Sequence, residues 1–538
     1  MVRSFRHRLL MLLSLFAVVG LVWEGSTAAP RRKPAAKKPA PPKLPDLKTP
    51  QSKLAYIQMI RAEFPLAKGS TSYRTEDLDR QLETSITKGS KESLGMVIDD
   101  ATFLRRASLD LTGIAPNGDA VEKFIADKNP KKREQLIDQL LTTEAYARKW
   151  ARYWRNVVFF ESAAPRSSVN PQAFEDWLTD EFRKGTSWDL IVAQMLSAAP
   201  QRIKDRKPQD NGWEQDLGSN NFVLACERKP EVLASQSARL FMGISIGCAE
   251  CHDHPFDQWK REQFHELAAF FAPGKYYMTD QYDPSEKSEM QAKFLLGEKP
   301  PEFLKGDHRR VAMAGYLMYN PENYWFARAY VNRIWNELIG DGFYSVDSLG
   351  PDKDVMHVLV VNRMATAFRQ QAFDIRWLFR LIMTSQAYQR EIKTLKYEAD
   401  FFTGVRPTRL RPYEVADNLE RLVGQNDNLR RAVDSAFEQN PSMPQRDLEG
   451  TMQQALLMMN NQQLHAKLAT SGLAKELVKT TSDSDLIRDA FLGTLARTPT
   501  ALEEQRYRFV LQQTSNRQEA IEDLLWVLVN SAEFITKR

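Results

Sequence analysis

The sequence predicts a mainly α-helical fold: two helical domains with a recurring helix module and an irregular linker between them. Three observations point there. Leu, Ala, Arg, Glu and Gln are common while Gly is sparse, at 24 of 538 residues, and no glycine-rich phosphate loop occurs. Apolar residues recur at helical spacing along most of the chain. A three-helix pattern near the N-terminus returns at the C-terminus. With 43% hydrophobic residues over this length, the chain can bury a large core and fill more than one domain.

Residues 1–28 read as a secretory signal. Arg3, Arg6 and Arg8 precede an almost wholly apolar run from Leu9 to Trp23, and Ser26-Thr27-Ala28-Ala29 supplies small residues for cleavage, best after Ala28. That run is short for a membrane span, and no later segment is long enough, so the mature chain is expected to carry no transmembrane segment. Export to the periplasm, the cell envelope or the extracellular space follows. Residues 29–50 hold seven Pro and seven Lys or Arg against the single acid Asp46, the composition of a stiff, disordered basic tether. The first 50 residues thus carry a net +8 within a chain total of +5. The remainder is mildly acidic, at −3, which argues against a nucleic-acid partner.

Residues 51–94 form an N-terminal helical extension, with one amphipathic helix over 54–66 and a polar stretch punctuated by Gly and Ser at 67–95. A first helical domain spans 95–273. It opens with a helix around 103–109, broken by Gly113 to Pro116, then helices over 119–126 and 132–141 that end in Thr142-Thr143-Glu144-Ala145-Tyr146. Trp150, Tyr153 and Trp154 lie at i, i+3 and i+4 on one helical face. Helices follow over 174–183 and 188–196, with Gly185 between them, and a polar loop covers 200–220. A helix over 234–241 leads to Gly243 and Gly247, and one over 262–271 is stopped by Pro273-Gly274. Residues 274–307, rich in Pro, Asp and Lys, read as the linker.

The second domain, 308–538, contains a long helix over 323–338 ending at Gly340, a pair over 364–371 and 375–383, and a helix started by Pro412 and running to about Val423. The opening module then recurs. Leu486 to Leu492 is followed by Arg497-Thr498-Pro499-Thr500, a Glu-rich helix, and a helix over 521–529 ending in Asn530-Ser531-Ala532-Glu533-Phe534. Pro116 matches Pro499. A shorter echo ends in Thr384-Ser385-Gln386-Ala387-Tyr388. In each, the hydroxyl can bond orphan backbone groups at a helix end while the aromatic packs back.

The chemistry concentrates in Cys248-Ala249-Glu250-Cys251-His252-Asp253-His254-Pro255-Phe256-Asp257-Gln258-Trp259. Cys248, Cys251 and His252 have the C-x-x-C-H spacing of c-type haem attachment: two thiols bond the porphyrin vinyl groups and His252 takes an axial position on the iron. Met242, Met278 and His265 are sixth-ligand candidates by proximity, whereas His254 is poorly placed for the same iron. Phe264, Leu267, Phe270 and Phe271 would wall a haem pocket or form ordinary core. A second reading places Zn or Fe on a subset of Cys248, Cys251, His252, His254 and Asp257. A third is a Cys248–Cys251 disulfide or free thiols. Three cysteines exclude a disulfide-stapled framework, and Cys226 reads as a small buried hydrophobe.

Arg328 and Arg333 would meet haem propionates or an acidic ligand, or bond internally; Arg328, Asn332 and Trp335 share a face. Asp352, Asp354 and His357 read as a helix-start loop. No serine-hydrolase, zinc-protease or Walker pattern appears, so the sequence assigns no catalytic residue.

Leu104-Arg105-Arg106-Ala107-Ser108-Leu109-Asp110-Leu111-Thr112-Gly113, the C-x-x-C-H-D-H-P-F-D run and Asn332-Arg333-Ile334-Trp335 together resemble the planctomycete cytochrome-C-type exported proteins. In these, a domain of unknown function carrying the Cys-Cys-His run is followed by a companion domain of unknown function, here 95–273 and about 308–534. The resemblance implies a cytochrome role for Cys248, Cys251 and His252 and names no reaction. Relatives with a further small cytochrome domain carry it near the N-terminus; residues 30–95 here contain no Cys, which leaves at most one haem. The expected function is a single covalent haem in electron transfer or haem redox chemistry, with a redox partner protein. The alternative is a non-haem envelope scaffold or carbohydrate-associated binding protein with a metal- or disulfide-locked Cys/His loop.

Overall fold

A computed structural model describes residues 47, 49–63, 72–89, 92–160, 162, 164, 168–201, 217–347, 355–393, 402–443, 445 and 448–537. The signal segment and nearly all of the tether lie outside these residues, as do Asp352, Asp354 and most of the 200–220 loop. The architecture is mainly α, as the periodicity predicts. Among the described residues no helix is long and apolar enough to cross a membrane.

The predicted helices form close to their expected bounds. Asp100–Thr112 is capped by the Asp99 carboxylate, which accepts the Thr102 N–H at 2.8 Å, and it ends where Gly113 turns left-handed at φ 75°. Gly185 and Gly340 close Pro171–Lys184 and Trp325–Ile339 in the same way. At Gly340 the positive φ is reinforced by crowding: a Cβ there would sit 2.8 Å from side chains of Arg406 and Thr408. Trp150, Tyr153 and Trp154 are all buried along Glu144–Phe159. They anchor an aromatic nest in which Trp154 meets Trp188 at 4.4 Å, Trp188 meets Tyr330 at 4.5 Å and Trp150 meets Phe379 at 4.6 Å between ring centroids.

Three segments depart from expectation. The polar stretch at 67–95 contains the helix Thr75–Gly89, whose Leu78, Leu82 and Ile86 form a narrow stripe at i, i+4 and i+8 and bury fully in the main core. So few apolar residues on an otherwise charged helix left little periodicity to read. The linker is not wholly irregular: Tyr276–Thr279 and Lys287–Met290 pair antiparallel, with Tyr276 opposite Met290. The second strand is exposed at three of its four positions, so it shows no alternation. Between Val423 and Asp483 lie four further helices, Asp427–Ala436, Met452–Asn460, Gln462–Ala469 and Gly472–Lys479. The hydrophobic packing does not divide at 274–307. One core runs from Leu47 to Phe402, and a second joins Leu109 and Ala115 to residues between Leu410 and Phe534.

The repeated helix ending is real in detail. Thr143, Ser385 and Ser531 each donate a hydroxyl hydrogen bond to the carbonyl three residues back, at 2.7, 2.5 and 2.7 Å. Each accepts the backbone N–H of the aromatic three residues on, Tyr146, Tyr388 or Phe534, and each aromatic is buried. The two complete modules pack against each other. Leu104 and Val121 cluster with Leu492 and Ala496, while Arg105 donates to the carbonyls of Glu533 and Thr536.

Where the modules meet the long helix, the interior is ionic. Asp110, Glu337, Asp347 and Glu414 face Lys149, Arg333, Arg411 and Lys537, all buried, four charges against four. Lys537 reaches Asp110 at 3.0 Å, Arg411 reaches Glu337 at 2.6 Å, Lys149 lies 3.6 Å from Glu414, and Arg333 pairs with Asp347. Tyr388 donates to Asp110 at 2.8 Å, and Arg333 donates to the Tyr153 hydroxyl. Burial alone would raise the Glu337 pKa; Arg411, then Lys537, outweigh it and hold the carboxyl below its usual range.

Two outcomes follow. Removing one partner strands a buried charge, so Lys537→Met should cost about 3–5 kcal/mol in chemical denaturation, and adding Asp110→Asn should recover part of that loss. On the Thr75–Gly89 helix, burial pushes the Asp79 carboxyl up to about 6, against the Gln386 N–H it accepts. The folded state therefore binds this proton more tightly than the unfolded one. Its contribution is full below a pH of about 4 and is lost as pH rises through 6. Asp79→Asn should match the wild-type unfolding midpoint at pH 4 and exceed it at pH 7; equal midpoints at both would contradict this.

Candidate functional site

The helix Pro230–Ser237 runs into one wide π-type turn, Ala238–Met242, and stops at left-handed Gly243. A short 3-10 turn, Gly247–Glu250, then begins the Cys/His loop. Its ends are anchored in the core. Ala249 is fully buried, and Trp259 is buried edge-on against Trp325 at 5.7 Å. The His254 N–H donates to the Trp259 carbonyl at 2.8 Å and closes the loop on itself.

The next helix, Arg261–Ala268, holds the loop from behind. Asp253 accepts the Arg261 N–H at 3.0 Å and the Lys260 ammonium at 2.9 Å. These contacts, the Arg261 amide first, hold its carboxyl below the usual range. The Glu250 carbonyl accepts from Arg261 at 3.2 Å and from His265 at 3.0 Å. The loop is therefore pinned at Ala249, Glu250, Asp253 and Trp259, while Cys248, Cys251 and His252 are all exposed. Both thiols are free.

The two loop histidines differ in tautomer. His252 Nδ1 lies 2.8 Å from the Asp253 carbonyl. A carbonyl only accepts, so the neutral ring carries its proton on Nδ1 and keeps its lone pair on Nε2, the arrangement of a metal-ligating imidazole steadied by a backbone carbonyl. In His254 the Phe256 N–H donates to Nδ1 at 3.2 Å, which uses that lone pair and leaves the proton on Nε2. His254 is thus set up as a donor on its outer nitrogen.

The sixth-ligand candidates fare less well. His265 is buried with both ring nitrogens engaged, Nε2 by Glu250 and Nδ1 by the Tyr276 hydroxyl at 2.8 Å, which also reaches Glu231. Burial holds its pKa below the ordinary histidine value. Met242 belongs to the core, and Met278 is half-buried on the first strand of the hairpin. Phe264, Leu267, Phe270 and Phe271 are packed in the main core. They form ordinary interior, the second of the two roles foreseen for them. Among the described residues no three His, Cys, Asp or Glu groups converge as a metal site would require, which the Zn or Fe reading of the loop needs. Cys226 is buried, and burial pushes its thiol up to about 12, as suits an inert core residue.

The other singled-out residues are structural. Arg333 is spent on Asp347 and Tyr153, and Arg328 lies between the Tyr324 and Tyr344 rings at 5.3 and 5.4 Å. Asn332 accepts the Phe343 N–H and donates to the Tyr344 carbonyl, shaping the turn after the long helix. His357 bonds Ser85 at 2.6 Å at the start of Val358–Gln370.

Comparison with known proteins fits this layout. Residues 78–276 match the PSCyt2 family model, described as a protein of unknown function (DUF1549). Residues 309–440 match PSD1, also described as a protein of unknown function (DUF1553). The two are companion domains and stand here in their usual order. The first match contains the whole Cys/His loop. No curated protein and no solved structure matches the chain.

If Asp253 pins the loop, Asp253→Ala should speed deuterium exchange at the Arg261 amide and across 248–256 while leaving the unfolding midpoint nearly unchanged. Unaltered exchange there would show that Ala249 and Trp259 suffice.

Proposed function

We propose that this chain is an exported, c-type-cytochrome-like protein that carries a single haem, covalently held by Cys248 and Cys251 with His252 as axial ligand, and that exchanges electrons with a partner protein. The observation that carries this reading is the loop itself: two exposed thiols three residues apart, next to an exposed imidazole whose Nδ1–H is fixed on a backbone carbonyl. A haem bound there supplies one-electron redox chemistry. The chain's own residues do the rest. Cys248 and Cys251 offer two thioether positions from one turn of backbone, and the Asp253 carbonyl orients His252 with Nε2 outward. Ala249, Trp259 and the Asp253 contacts keep the attachment points from moving.

The surrounding fold limits what such a haem could do. The apolar residues considered as pocket walls are packed in the main core and both His265 nitrogens are engaged, so these residues would supply neither an enclosing wall nor a sixth ligand. That favours electron exchange by contact over chemistry in an enclosed site. A locked Cys/His loop without haem is the weaker reading, because the thiols are free and the two histidines present opposite outer nitrogens.

The test is expression in a host with c-type maturation, followed by a haem stain and a pyridine haemochrome spectrum. Covalent haem is expected in the wild type, and Cys251→Ala should abolish the stain with helix content unchanged by circular dichroism. His252→Ala should keep covalent haem but alter its axial-ligand spectrum. Two titratable thiols and no covalent haem in the wild type would overturn the proposal.

A further inference from the structure

A cleft of about 1060 Å³ opens between the helices Glu144–Phe159 and Pro171–Lys184 on one side and Pro412–Val423 and Asp427–Ala436 on the other. It is remote in sequence from the Cys/His loop and shares none of its residues. We propose that this cleft is a binding site for a neutral, polyhydroxylated ligand, a short oligosaccharide; the inference stands apart from the haem reading.

Arg148, Arg152 and Arg155 lie at i, i+4 and i+7 along Glu144–Phe159 and line the cleft; Arg148 pairs with Glu144 of its own helix at 3.6 Å, whereas Arg152 and Arg155 turn to Glu175 of the neighbouring one. Arg152 donates to Glu175 at 2.9 Å and to Asp417 at 2.9 Å, and Arg155 donates to the other Glu175 oxygen at 2.6 Å. Arg430 closes the chain onto Asp417 and Glu420. Three guanidiniums thus alternate with three carboxylates, of which Glu175 lines the cleft itself. Over the whole lining six arginines stand against six carboxylates, so the cleft offers no net charge for a phosphate or a metal cation. It offers instead rigid, planar donors and acceptors side by side. Neighbouring hydroxyls, each both donor and acceptor, are the groups that match such a wall.

The rim adds what a sugar needs. Phe160 lines the cleft and is 41% exposed, a large apolar face against which the C–H side of a pyranose can stack. Asp434 and Ser435 stand exposed on the opposite helix, and among the described residues Asp434 makes no hydrogen bond. Partial removal from water in the cleft raises its carboxyl pKa, against the pull of Arg430 and Arg155. It is an acceptor held beside the lattice without a protein donor. The volume exceeds that of most small-molecule pockets, which suits several sugar units in a row.

The test is calorimetric titration of the full chain with a panel of neutral gluco-, manno- and galacto-configured tetrasaccharides, with a sulfated oligosaccharide and inorganic phosphate as further arms. At least one neutral tetrasaccharide should bind. Phe160→Ala should weaken it on the order of tenfold, Asp434→Asn should weaken it too, and Cys251→Ala should leave it unchanged. Both cleft side chains are exposed, so circular dichroism should show intact folding in these variants. Binding of phosphate or the sulfated probe alone, no binding to any neutral tetrasaccharide, or binding indifferent to both cleft variants would overturn the proposal.

Discussion

The buried lattice of Asp110, Lys149, Arg333, Glu337, Asp347, Arg411, Glu414 and Lys537 is the constraint around which the molecule is arranged. Charges of this kind are tolerated inside a protein only when each finds a partner and further hydrogen bonds. Here the partners come from segments far apart in sequence: Asp110 from the opening module, Lys149 from the tryptophan-bearing helix, Arg333 and Glu337 from the long helix, and Lys537 from beyond the last helix. None of these segments can shift without exposing an unpaired ion to a dry interior. The lattice therefore fixes register where hydrophobic contact alone would allow sliding, and it ties the two cores into one frame.

This explains why the residues that look most distinctive in the sequence are not those with chemistry left to offer. Arg105, Arg106 and Asp110 satisfy backbone carbonyls and buried ions, and Arg106 donates to the carbonyls of Tyr388 and Arg390. Asn332 and Arg333 are consumed by the turn and the lattice beside them. The Cys/His loop is built on the opposite plan. Its interior groups, Ala249 and Trp259, do the anchoring, and its thiols and the His252 imidazole are left to solvent. A rigid frame with a pinned, outward-facing loop is what a covalently attached surface group requires.

The sequence announced helices wherever an apolar stripe was wide or a cap was distinctive. Gly113, Gly185 and Gly340 marked ends that are left-handed in the structure, and the hydroxyl-x-x-aromatic ending at Thr143, Ser385 and Ser531 was legible because one hydrogen-bonding solution recurs three times. It was silent where burial is narrow, as for Leu78, Leu82 and Ile86, and where a strand has almost no buried face, as at Lys287–Met290. The loop could be found from spacing alone, yet the distinction between His252 and His254 could not, since it depends on which backbone group each ring meets. The cleft left a faint signal, the Arg148, Arg152, Arg155 stripe set against Glu175 and Asp176. Only the fold shows that Arg152 and Arg155 share Glu175 and that Arg152 also reaches Asp417 on the facing helix.

The most direct test is intact-mass and peptide mass spectrometry of the full chain after c-type maturation. One added haem mass is expected, mapped to the peptide containing Cys248 and Cys251, with Cys226 still a thiol. A chain of unmodified mass, or a haem that dissociates on denaturation, would contradict this expectation.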